Sequence, residues 1–207
     1  SGLLIFDNTP LQPNLISNAQ VLHTSGHPNS ADVVFPHNNL ALIGSGGSGA
    51  MLSLFDVNNL LTPIQVDDVS FNTQINDIYA KDDMGYVVSN PMGTLRPSKL
   101  WIYDLSNPSI LPLIFMGSYS QSQDETIQSV KVVRNKNNIL IALIANSVID
   151  PFPQGRLTPK GSGSLDIIDV TTPNNPTFSQ RYLVSNPLNV AGTLIGTGRS
   201  PTGGSDL

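Results

Sequence analysis

The chain has 207 residues, enough for one sizeable core, with 39% hydrophobic but only 12% charged residues and a net charge of -5. Ten Lys and Arg that never cluster exclude a nucleic-acid footprint, and the absence of cysteine excludes disulfides, thiolate nucleophiles and cysteine-based zinc sites. With 20 Asn, 23 Ser and a single Glu, Glu125, strong helix formers are scarce and turn formers plentiful, so the composition predicts strands joined by turns.

Read from its start, the chain opens directly on a strand-like run, Leu3 to Phe6, followed by Asp7 and a Pro-containing turn (LLIFDNTPLQP). This pattern returns at Leu52 to Pro63 (LSLFDVNNLLTP), Leu100 to Pro112 (LWIYDLSNPSILP) and Leu165 to Pro176 (LDIIDVTTPNNP), with Asp7, Asp56, Asp104 and Asp169 separated by 49, 48 and 65 residues. Ahead of the last three motifs stand short apolar strands at Leu40 to Gly44, Gly85 to Ser89 and Ile139 to Ala145. Further upstream come strands at Ala31 to Phe35, Ile75 to Lys81 and Ile127 to Arg134, and Leu188 to Ile195 begins a fourth copy. A fourth strand follows each turn, at Ile64 to Phe71, Leu113 to Tyr119 and Phe178 to Val184.

Four short strands per period of nearly fifty residues predict an all-β propeller of four-stranded antiparallel blades, because a lone meander exposes two apolar faces that only like neighbours can cover. The blades are predicted at 27–71, 72–120 and 121–185, with partial blades at 1–26 and 186–207, as a fragment of a larger ring or a four-bladed ring closed by its ends. The strings LLIFDNTP, LWIYDLSNP and LDIIDVTTPNNP resemble the LVIVD repeat over nearly the whole chain. That resemblance implies a propeller and says little of activity. The second copy departs from it, with Leu60 where the first Pro would stand.

No catalytic constellation emerges. Gly44 to Gly49 fits G-x-G-x-x-G, but the strand-like Met51 to Asp56 follows it instead of a helix, which predicts a blade loop and not a phosphate cradle. The repeated aspartates precede turns, where the side chain can accept backbone N–H bonds. The pairs Asp67-Asp68, Asp82-Asp83 and Asp124-Glu125 are expected to be solvated turns, and no calcium-loop spacing accompanies them; no cofactor is predicted, with Ca²⁺ the one candidate cation. His23, His27 and His37 fall at opposite ends of blades and are not expected to share a metal.

The connection between second and third strands lengthens along the chain, from Ser45–Ala50 through Asn90–Ser98 to Ser147–Ser164. Loops of the last length are usually functional or disordered, so Phe152, Arg156 and Lys160, with Arg96 on the same face, are the candidate binding residues, with an idle insertion as the alternative. The expectation is a noncatalytic propeller at the surface of a prokaryotic cell or outside it, acting in adhesion, recognition or assembly, with a protein or glycan partner or itself. Low charge, abundant Asn and Ser and no Cys favour export, and no apolar run reaches the length of a membrane helix. One alternative is an enzyme or metal-binding propeller whose channel site draws on Asp32, Asn76, Asp77 and Gln128; another is a module of a filament or appendage subunit.

Overall fold

A computed structural model describes residues 2–6, 15–20, 31–46, 49–71, 73–91, 97–107, 113–121, 125–148 and 163–184. Every regular element among them is a strand. The strands are β1 (Gly2–Phe6), β2 (Leu15–Gln20), β3 (Ala31–His37), β4 (Leu40–Ser45), β5 (Met51–Asp56), β6 (Ile64–Ser70) and β7 (Thr73–Lys81). They continue with β8 (Met84–Pro91), β9 (Lys99–Asp104), β10 (Ile114–Ser120), β11 (Glu125–Arg134), β12 (Leu140–Val148), β13 (Gly163–Asp169) and β14 (Thr177–Val184). They form three four-stranded sheets, β3–β6, β7–β10 and β11–β14, each an antiparallel meander in chain order, and the two-stranded β1–β2.

The three sheets repeat one plan. The first pair of each carries a register shift at the same place, between Ala31 and Val33, Ile75 and Asp77, and Ile127 and Ser129. A second shift interrupts each outer pair. Such bulges increase local twist. The first hairpins turn tightly through residues that tolerate positive φ, Asn38 at 51° and Asp82 and Asp83 at 51° and 58°, while Asn138 reaches 63° in the third.

The predicted turn role of the aspartates holds at all three described copies. Asp56, Asp104 and Asp169 each accept, through Oδ1, the N–H two residues on: Asn58 at 2.8 Å, Ser106 at 2.8 Å and Thr171 at 2.9 Å. Asp7 lies outside the described residues. In the second copy Asn59 does what the missing Pro would have done, its side chain accepting from Leu61 N at 3.1 Å and its carbonyl from Thr62 N at 3.1 Å.

Strand alternation explains the packing. On β4, Leu40 and Leu42 point into a cluster shared with Ile75, Ile78 and Val87, while Ala41 and Ile43 point the other way, with Phe55, against Leu3 of β1. On β8, Val87 joins that first cluster and Tyr86 and Val88 join a second with Val130, Ile144 and Ile168. Successive sheets therefore stack face to face, and β3, β7 and β11 touch across the boundaries. Each fully buried Leu or Ile contributes about 1.5–3 kcal/mol relative to exposure.

Candidate functional site

At the loop end of the third sheet lies a buried ionic network. Arg181 on β14 stands opposite Asp166 on β13, and its Nε and Nη2 donate to the two oxygens of Asp166 at 2.7 and 2.8 Å. The same Nη2 donates to Glu125 Oε2 at 2.7 Å. Gln121 Nε2 donates to Asp166 Oδ2 at 2.6 Å and to Asn146 Oδ1 at 3.0 Å, and Asn146 Nδ2 donates to Ser164 Oγ at 3.1 Å. Ser98 Oγ donates to the Glu125 carbonyl at 2.9 Å, tying the second sheet to the third, while Gln121 N donates to the Ser98 carbonyl at 2.9 Å beside the β9–β10 ladder.

Asp166 is fully buried and Glu125, Asn146 and Ser164 nearly so, while the Arg181 side chain keeps 32% exposure. The hydrogen-bonded Asp166 carboxylate holds the Arg181 guanidinium above the usual arginine range; partial burial opposes this and Glu125 reinforces it. Burial first, and the charge of Asp166 next, raise the nearby Tyr119 phenol. Buried carboxylates demand a paired cation, and these two share one, which Asp166 holds in bidentate geometry and Glu125 through a single bond. The arrangement suits rigid support more than proton transfer.

The network flanks both ends of the longest connection, since Asn146 closes its N-terminal approach and Ser164 and Asp166 its C-terminal return. Phe152, Arg156 and Lys160 within that connection, and Arg96 in the preceding one, lie outside the described residues, as do His23, His27 and Asp124. The shortest connection behaves as expected of a loop: Met51 N donates to Ser45 Oγ at 2.7 Å and strand β5 follows, with no helix.

Two expectations of solvated turns need correction. Glu125 opens β11 and is buried in the network, paired with Arg181 on β14. Asp67 and Asp68 lie half-buried within β6, where Asp67 Oδ2 accepts Leu113 N from the next sheet at 2.6 Å. Asp82 and Asp83 do form an exposed turn, with Arg134 donating to Asp82 at 2.9 Å.

Of the channel candidates, Asp32 lies on β3, Asp77 and Asn76 make sheet-to-sheet bonds, and Gln128 bonds within its own sheet. Asp77 Oδ2 accepts Ser129 Oγ at 2.6 Å and Val130 N at 3.0 Å, and Asn76 Nδ2 donates to the Ile127 carbonyl at 2.8 Å. Gln128 Nε2 donates to Thr126 Oγ1 at 2.9 Å and Ser147 Oγ at 2.8 Å. Asn90 clasps the backbone of Ile127, donating to its carbonyl at 3.0 Å and accepting its N–H at 2.9 Å. Among the described residues no three His, Cys, Asp or Glu side chains converge as metal ligands. At the opposite end a cleft of about 250 Å³ opens between the first two sheets, lined by His37, Leu40, Asp56, Asp83 and Leu105. His37 Nε2 lies 3.6 Å from Asp83.

The sequence reading missed Arg181, Asp166, Gln121 and Asn146. Asp166 carried one signal, a charge at a core-facing position of its strand, where Ser53 and Trp101 stand in the other sheets.

Fold and site together define an all-β protein of repeated four-stranded antiparallel sheets, with no helix long and apolar enough to cross a membrane among the described residues. No family model matches the chain, and no curated protein matches it. Among solved structures it is similar to the computationally designed Ika4 protein, at 13% identity and a TM-score of 0.45 over 79% of each chain. It is also similar to the computationally designed Ika8 protein, at 10% identity and a TM-score of 0.42, over 83% of this chain and 52% of that one. The chain thus spans about half the length of Ika8, and likeness this distant bears no argument about function.

Proposed function

We propose that the chain is a propeller of the LVIVD-repeat kind, exported to a prokaryotic cell surface, that binds a protein or glycan, or another copy of itself, through the loop end of its sheets. Face-to-face stacking of like sheets with adjacent first strands supports the propeller, and low charge with no cysteine supports export. The single observation that carries the binding role is the Arg181–Asp166–Glu125 network at the strand ends that the longest connection joins. Binding loops work best on a rigid base, since order already present need not be gained on association. Arg96, Phe152, Arg156 and Lys160 are the contacts, an aromatic anchor with three cations, and they favour a partner bearing acidic groups.

The test compares the full chain with a variant lacking Pro151–Lys160 on a glycan array and by sedimentation for self-association. Glycan binding or association that disappears in the deletion at unchanged melting temperature is the expected result. Binding retained by the deletion, or a full chain silent in both assays, would overturn the reading.

A further inference from the structure

We propose that the cleft between the first two sheets, at their hairpin end, binds an alkylguanidinium group such as an arginine side chain carries. It lies at the far end of the sheets from the long connections, so the inference does not depend on the binding role proposed above. Its volume of about 250 Å³ is below the range of roughly 300–1,000 Å³ usual for drug-sized ligands and suits one long side chain. Buried Leu40 and Leu105 and half-buried Val66 give it an apolar lining, and Asp56 and Asp83 add two carboxylates. A guanidinium on a methylene stem matches that division, since the stem lies along apolar surface while the head keeps to the polar groups.

Both carboxylates have an oxygen to spare. Asp56 Oδ1 accepts Asn58 N at 2.8 Å, and Asp83 Oδ1 accepts Asn38 Nδ2 at 3.4 Å and lies 3.6 Å from His37 Nε2. Neither Asp56 Oδ2 nor Asp83 Oδ2 has a partner among the described residues, and no Lys or Arg there pairs with either side chain.

The boundary between the second and third sheets shows what fills the equivalent place. Asn38, Asp82 and Arg134 occupy one position of the repeat, each five residues beyond the end of the bulge at Val33, Asp77 and Ser129. At that second boundary Arg134 supplies a guanidinium, its Nη2 donating across the sheets to Asp82 at 2.9 Å and its Nη1 to the Asn138 carbonyl at 3.2 Å. At the first boundary the later sheet brings Asp82 to the same position, with Asp83 beside it, and the earlier sheet brings the neutral Asn38. Neither position supplies a cation. A guanidinium from outside would restore the charge-assisted pairing that the next boundary makes internally.

An NMR titration of the full chain with N-acetylarginine amide tests this, with the neutral isostere N-acetylcitrulline amide as control. Expected are saturable shifts of the Leu40, Asp56 and Leu105 amides at probe concentrations on the order of millimolar, as befits an exposed charge pair, and none with the citrulline probe. Asp83→Asn retains a residue that tolerates the φ of 58° at this turn, and Asp56→Asn retains an acceptor for Asn58 N. Each should weaken binding by about threefold or more. No saturable shifts in the full chain, an equal response to the citrulline probe, or parental affinity in both variants overturns the proposal. Agmatine separates a free alkylguanidine from an arginine within a polypeptide: binding of either supports the site, and the tighter of the two names the source.

Discussion

Single residues decide how the core answers to pH. The Tyr86 hydroxyl is fully buried and has no hydrogen-bond partner among the described residues, and burial, with the Asp82 charge second, raises its phenol far above the ordinary value of 10.0. Burial alone pushes Tyr103 up to about 12. A group harder to ionise folded than unfolded contributes stability that is complete below the unfolded value and is lost as pH rises through the folded one. Melting temperature should therefore fall as pH climbs from 10 toward 12, and less steeply in a Tyr86→Phe/Tyr103→Phe variant; equal slopes would refute this. At neutral pH Tyr86→Phe should stabilise by about 1 kcal/mol, because it removes an unsatisfied buried hydroxyl. The aspartate turns were legible in the sequence because each bond spans two residues. The burial of Glu125 was not, since its partner Arg181 lies 56 positions away.

At the scale of elements, the segments after motif strands β9 and β13 dock on the outer strand of the preceding sheet. Leu113 N of one such segment bonds Asp67 on β6, and the Pro173-Asn174 turn lies directly against Gly117 on β10. A Cβ on Gly117 would run into the Pro173 carbonyl oxygen and come within 3.0 Å of Asn174 Cα, both backbone and unable to swing aside. Gly117→Ala should cost about 1–3 kcal/mol, read as a shift in the urea midpoint, and a midpoint within error of the parent would show that the turn is free to move. Strand number and order followed from alternation and spacing. Strand ends did not: β7, β8, β11 and β12 each run a residue or more beyond the periodic apolar stretches, because ladder bonds persist past the last core-facing side chain.

For the whole molecule, cohesion rests on apolar clusters between sheets and on a few polar clasps at the bulges. The bulge at Ile127–Ser129 interrupts its own ladder, and Asn90 from the neighbouring sheet supplies bonds to the Ile127 backbone. Asn90→Ala takes the acceptor from the buried Ile127 N–H and should cost about 1–3 kcal/mol, the penalty for an orphaned buried donor. Unfolding that becomes two-step would show that this clasp couples the second sheet to the third; a single transition at the parental midpoint would deny it any such part.

What the sequence determined by itself is the part governed by neighbours along the chain. Alternation sets which side chains face which way, Asp followed by polar or Pro residues sets the turns, and their recurrence sets three like sheets. Tertiary structure alone decided which polar groups are core. Asp67 with Leu113 and Asn90 with Ile127 meet only after sheets stack, Glu125 with Arg181 only after the first and fourth strands of one sheet are assembled, and a carboxylate bound for solvent has the same local sequence as one bound for a buried cation. The difference lies in strands distant along the chain, which periodicity along one strand cannot encode.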